Sequence, residues 1–116
     1  MNPIVKIVKL SGILDGVSVN QVRREISDIV ASGANIVLVD FQDVTFMNSS
    51  GLGALVSTLK VVRSAGAELF ICSLNDQVKL IFQLTQMERV FKPLANRDEF
   101  EQKLASKIQV ENGVSD

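Results

Sequence analysis

The sequence predicts a single small α/β domain, and three observations carry that prediction. A continuous apolar run, Ile36-Val37-Leu38-Val39, has the length of a strand covered on both faces. Strand-like runs alternate with stretches whose apolar residues keep helical spacing, and such alternation implies parallel strands joined by right-handed crossovers. At 116 residues with 47% hydrophobic content, the chain can bury one core without disulfide or metal staples. The expectation is a mostly parallel sheet of about four strands with an added N-terminal strand, flanked by four helices. Residues 1–108 form the domain and residues 109–116 a flexible C-terminal tail, too poor in apolar side chains to order itself.

Residues 4–10 mix β-branched side chains with Lys6 and Lys9, the pattern of a strand partly facing water and near an edge. Ser11-Gly12 and Asp15-Gly16 mark the turns that follow. Ser18-Val19-Asn20-Gln21 is a capping-box pattern with Val17 and Val22 spaced as a hydrophobic staple, so the first helix begins there. Val19, Val22, Ile26, Ile29 and Val30 make its apolar stripe, and Ser32-Gly33 ends it. The run from Ile36 is the central strand, closed by Asp40.

Residues 44–55, VTFMNSSGLGAL, bring an extended apolar approach to two serines that open a second amphipathic helix. Leu52, Leu55, Val56, Leu59 and Val62 form its stripe, and Gly66 stands at its left-handed exit. Residues 68–72 supply another buried strand. Asn75 caps a short helix carrying Val78, Ile81, Phe82 and Thr85, and Val90-Phe91 adds a brief strand stopped by Pro93. Residues 96–99 resemble a cap, and the last helix turns Phe100 and Leu104 to the core.

Composition narrows the chemistry. With no histidine and one cysteine, Cys72, a Ser-His-Asp triad cannot be assembled and zinc's usual ligands are nearly absent, so no metal and no cofactor are expected. Cys72 lies in an apolar run and reads as a core residue. A net charge of -1 with scattered basic residues argues against nucleic acid. The uncharged run 44–59 is broken by serines, threonines and Asn48, so it fails as a membrane span, and the N-terminus lacks a signal-peptide core. A cytoplasmic location follows as the expectation. Gly51 and Gly53 fit neither a P-loop nor a dinucleotide fingerprint, so tight turning or close packing is their reading.

The serine pair supports two readings. Ser49 and Ser50 can be N-caps that satisfy backbone donors. A hydroxyl at a helix start can also carry a phosphate, because unpaired N–H groups and the positive end of the dipole favour negative charge there. Met47, Leu52 and Leu55 lie beside them, as core or as partner-facing side chains, and Asp15 and Asp43 are loop acids by default.

Taken whole, the chain resembles a STAS domain of the anti-sigma-factor antagonist family, whose hallmark is an Asp-Ser-Ser/Thr-Gly-Leu-Gly segment opening a helix after a strand. Here the segment reads Asn48-Ser49-Ser50-Gly51-Leu52-Gly53. The resemblance extends to the early strand with its Gly12-Ile13-Leu14-Asp15 turn, the strand over 36–40, the Phe46-Met47 approach and the strand over 66–72. It implies that Ser49 is phosphorylated by an anti-sigma factor that is itself a serine kinase, with ATP belonging to that kinase. It implies further that the unmodified protein binds the kinase and frees a sigma factor, and that a serine phosphatase resets the switch. Asp15, Met47, Asn48, Ser50, Gly51 and Leu52 are then the partner-binding residues, and the chain is a regulator and not an enzyme. Asn48 departs from the family's Asp: it keeps the hydrogen-bonding ability and removes a charge. The alternative reading is a structural STAS subunit docking on a transporter or signalling complex without a phosphorylation cycle.

Overall fold

The computed structural model describes residues 3–113, with side chains described as far as residue 107. Three strands, β1 (Val5–Leu14), β2 (Ile36–Met47) and β3 (Glu68–Cys72), form a parallel sheet in the order β1-β2-β3. β2 is central, as its apolar run predicts: Ile36 to Phe41 are buried without a break. β1 is an edge strand, with Lys6, Ile7 and Lys9 exposed, and Lys9 pairs with Asp43 across the register at 3.1 Å.

Helices α1 (Gly16–Ala31) and α2 (Ser49–Ser64) cover one face of the sheet and pack on each other. Their stripes, Val19, Ile26 and Val30 from α1 and Leu52, Leu55, Leu59 and Val62 from α2, meet Val8, Leu10, Val37, Val39 and Ile71 in the larger core cluster. α3 (Asp76–Leu84) and the short α4 (Glu88–Phe91) extend the same cluster through Val78, Phe82 and Phe91. The other face is covered by α5 (Arg97–Gly113) through Phe100, which packs edge-on against Phe70 at 5.5 Å and closes a smaller cluster with Ile36, Leu38, Cys72 and Leu94. Asn96 caps α5, its Oδ1 accepting from the Glu99 N–H at 2.9 Å. The Arg97 Nε then donates to the buried Asp40 carboxylate at 2.7 Å. Burial alone pushes that carboxyl's pKa up, but the Arg97 contact and the Gln42 N–H more than offset it, so Asp40 is held below the usual carboxylate range.

Several expectations are corrected. α1 starts at Gly16, and its cap is Asp15: Asp15 Oδ1 accepts from the Ser18 N–H at 2.9 Å while Ser18 Oγ accepts from the Asp15 N–H at 3.0 Å. Ser18 is therefore the far half of the capping box, and Val17 is exposed, so no staple to Val22 forms. Val90-Phe91 is not a strand. α4 is a helical turn that buries Phe91 edge-on against Phe82 at 5.5 Å, and the left-handed Lys92 releases the chain before Pro93. The sheet thus has three paired strands and five flanking helices among the described residues, and only a single parallel bridge, Cys72 to Leu94, continues it. Residues 114–116 of the expected tail lie outside the described residues, and helical backbone is described as far as Gly113.

Candidate functional site

β1 and β2 end in register, with Leu14 opposite Met47. Both chains therefore turn up into their helices at one level, at the carboxyl end of the parallel strands, where open α/β sheets place their sites. Each turn is built alike: a buried apolar residue, an Asx residue with extended backbone, then the first helical residue. Asp15 caps α1, and Asn48 caps α2 with its Oδ1 accepting from the Gly51 N–H at 2.8 Å. The Asn48 N–H donates to the Leu14 carbonyl at 3.1 Å, which ties the two turns together.

Gly51 is required by this closeness. A Cβ there stands 2.5 Å from the Leu14 carbonyl oxygen and 3.4 Å from the Asp15 Cα. Gly16, its neighbour across the gap, is less constrained, since a Cβ there meets the Ser50 Cβ at 3.4 Å. The reading of Gly51 as a close-packing residue holds, and Gly53 has open space around it.

Ser49 and Ser50 are the first and second residues of α2, both exposed, and neither is the cap. Asn48 takes that role because its amide oxygen reaches the third helical N–H, leaving both hydroxyls without a hydrogen-bond partner among the described residues. The first turn of α2 carries no acidic residue of its own, so no carboxylate of that turn occupies its positive end. Asp15 lies just across the gap. Hydrogen bonds from Ser18, above all its backbone N–H, hold the Asp15 carboxyl below the usual carboxylate range. It stays ionised at neutral pH, and it is a helix cap, not the solvated loop acid it was expected to be by default. Asp43 lies in β2 and is engaged by Lys9.

Burial decides which of the expected partner-binding residues present a side chain at the surface. The Met47 side chain is fully buried, Leu52 is 5% exposed, and Gly51 presses on Leu14, so none of the three offers a side chain to a partner. Asp15, Asn48 and Ser50 remain accessible, the first two partly. Apolar surface is supplied instead by Ile13 and Phe46, opposite each other in the register and 65% and 45% exposed, and by Val17, 71% exposed. Strand alternation is the signal for Ile13 and Phe46: with Leu14 and Met47 turned into the core, the residues just before must point out on the opposite face.

Elsewhere the chemistry is sparse. Cys72 is buried, and burial pushes its thiol pKa up. Among the described residues no group of three or more metal-ligating side chains is found, and no helix is long and apolar enough to cross a membrane.

Comparison with known proteins agrees with this geometry. Residues 2–110 match the STAS domain family. The anti-sigma-B factor antagonist of Staphylococcus aureus (strain NCTC 8325 / PS 47) is 30% identical over 81 residues, covering 70% of this chain and 75% of that protein. The anti-sigma F factor antagonist of Paenibacillus polymyxa is 30% identical over 89 residues, covering 76% and 74%. Among solved structures, that of the anti-sigma factor antagonist SpoIIAA in its unphosphorylated form superposes with a TM-score of 0.73 at 22% identity, covering 91% of this chain and 93% of that one. The chain is thus a STAS domain protein of the anti-sigma-factor antagonist family.

Proposed function

We propose that this protein is a phosphorylatable partner-switching regulator acting in the cytoplasm. Unmodified, it binds an anti-sigma factor that is a serine kinase and so frees a sigma factor; that kinase phosphorylates Ser49, and a serine phosphatase restores the binding form. The observation that carries the proposal is the exposed Ser49 hydroxyl at the first position of α2, on a backbone held by the Asn48 cap. Asp15, Asn48 and Ser50 form the polar part of the docking face, and Ile13, Val17 and Phe46 its apolar rim. The relatives support this reading: the two at 30% identity are named antagonists of anti-sigma factors.

The switch needs no change of fold. A phosphoserine brings a charge of about -1.5 to -2 and three strong acceptor oxygens. The α2 dipole stabilises it by about 0.3–1 kcal/mol while the site is open to water. Covering the same charge with a partner surface costs several kcal/mol when the partner offers no cation. About 2.7 kcal/mol is already a hundredfold loss of affinity. Asn48 tunes the balance: a second anion 4 Å away costs about 1 kcal/mol even in water, and an amide at this cap avoids that repulsion while keeping the hydrogen bond.

Titration calorimetry with the cognate kinase tests the proposal. Ser49→Ala is expected to bind within a few fold of the parent, whereas the phosphorylated protein binds about a hundredfold more weakly. Equal affinity of the phosphorylated and unmodified forms overturns it.

A further inference from the structure

β2 outruns its neighbour. β3 pairs with it only as far as Asp40 opposite Cys72, because Ser73, in the left-handed region at φ 64°, turns the chain out of the sheet. Beyond Asp40, β1 still pairs with β2 at Asp43, Val44, Phe46 and Met47, across two register shifts, while among the described residues no strand lies on the β3 side. Two side chains from the start of α3 take its place. Asn75 Nδ2 donates to the carbonyls of Val44 at 3.0 Å and Thr45 at 3.3 Å, while its Oδ1 caps α3 through the Val78 N–H at 2.9 Å. Gln77 Oε1 accepts from the Met47 N–H at 2.8 Å, and Gln77 Nε2 donates to the Met47 carbonyl at 2.8 Å.

The Gln77 amide therefore offers Met47 one acceptor and one donor, the pair of bonds that a residue of an adjoining antiparallel strand exchanges through its own N–H and C=O. Met47 is gripped on that edge, and the next residue, Asn48, is gripped on the other by the Leu14 carbonyl. The residue after that is Ser49. We infer that Gln77 is a positioning residue for the phosphoacceptor: its side-chain amide substitutes for a missing strand and sets the backbone that delivers the Ser49 hydroxyl. The inference rests on the reading of Ser49 as the phosphorylated residue.

The side chain at position 77 must both donate and accept, and two variants isolate this. Gln77→Met removes both bonds at similar size. Gln77→Glu keeps the acceptor but sets a carboxylate oxygen against the Met47 carbonyl, and it suits the N-terminal turn of α3, so any loss cannot come from weakening that helix. Hydrogen exchange of the free protein, read residue by residue, is expected to speed up about tenfold or more at the Met47 and Asn48 amides in both variants, with Val39 and Phe70 in the same sheet unchanged. Phosphorylation by the cognate kinase is expected to show kcat lowered about tenfold with KM changed by less than about threefold, since Asp15 and the apolar rim of the docking face are untouched while the hydroxyl is misplaced. Uniform acceleration across the sheet, unchanged exchange at Met47 and Asn48, or a parent-like kcat in both variants overturns the inference. A parent protein that the kinase leaves unmodified overturns the assignment of Ser49 instead, and the exchange data still decide whether Gln77 holds this backbone.

Discussion

The two strand-to-helix junctions at the carboxyl end of the sheet are near copies that differ in charge. Leu14-Asp15-Gly16 and Met47-Asn48-Ser49 lie in register, each with a buried residue, an Asx cap and a helix start. At the first junction the cap is an ionised carboxylate closed into a box with Ser18, and no side chain follows it at the first helical position, which is glycine. At the second the cap is a neutral amide, and an exposed hydroxyl follows it. The first junction spends its negative charge on holding α1. The second holds α2 without charge and leaves the dipole of that helix open to a phosphate.

Substitutions break this comparison in a definite order. Gly51→Ala drives a Cβ into the Leu14 carbonyl that links the junctions, and it is expected to cost about 1–3 kcal/mol in urea unfolding. Gly16→Ala meets only ordinary contact and should stay within about 0.5 kcal/mol; comparable losses for the two glycines contradict the asymmetry. Asn48→Ala removes the α2 cap and is expected to lower stability by about 1 kcal/mol, with the amides of the first α2 turn exchanging faster.

A pH series sharpens the contrast. Because the folded Asp15 pKa is depressed, its stabilisation is present above the ordinary aspartate value of about 3.9 and is lost as pH falls through the lower folded value. Asp15→Asn should flatten that part of the stability curve. Asp40, depressed in the same direction, contributes an acid loss that persists in the variant, so the difference between the two curves is the quantity to read. The smallest effect is expected of Asn48→Asp, which keeps the cap and adds a charge that the dipole favours: stability rises by a few tenths of a kcal/mol, while the phosphorylated form gains less than the unmodified one.

Much of this site was legible in the sequence, and what was not has physical causes. The strand from Ile36 could be read because a run covered on both faces needs no polar alternation, and Asn75 could be read as a cap because its helix follows at once. Asp15 and Ser18 belong to one capping box, but Asp15-Gly16 also has turn chemistry, so the sequence pattern points to Ser18 as the cap. The serines hid Asn48 in the same way: any of the three can cap, and only the distance to the Gly51 N–H decides among them. Val90-Phe91 is a two-residue apolar run, short enough for strand and helical turn to look alike until Phe82 supplies a partner. Met47 and Phe46 differ only in which face the pleat gives them. The Gln77 contact spans 30 residues and leaves no local trace.

The central claim is that Ser49, and not its neighbour Ser50, which is also exposed, carries the switch. Incubation with the cognate kinase and ATP, followed by peptide mass spectrometry of the parent, Ser49→Ala and Ser50→Ala proteins, tests it most directly. The account predicts a single phosphate on Ser49, retained in Ser50→Ala and absent from Ser49→Ala. Phosphate on Ser49→Ala at the parent's level contradicts it.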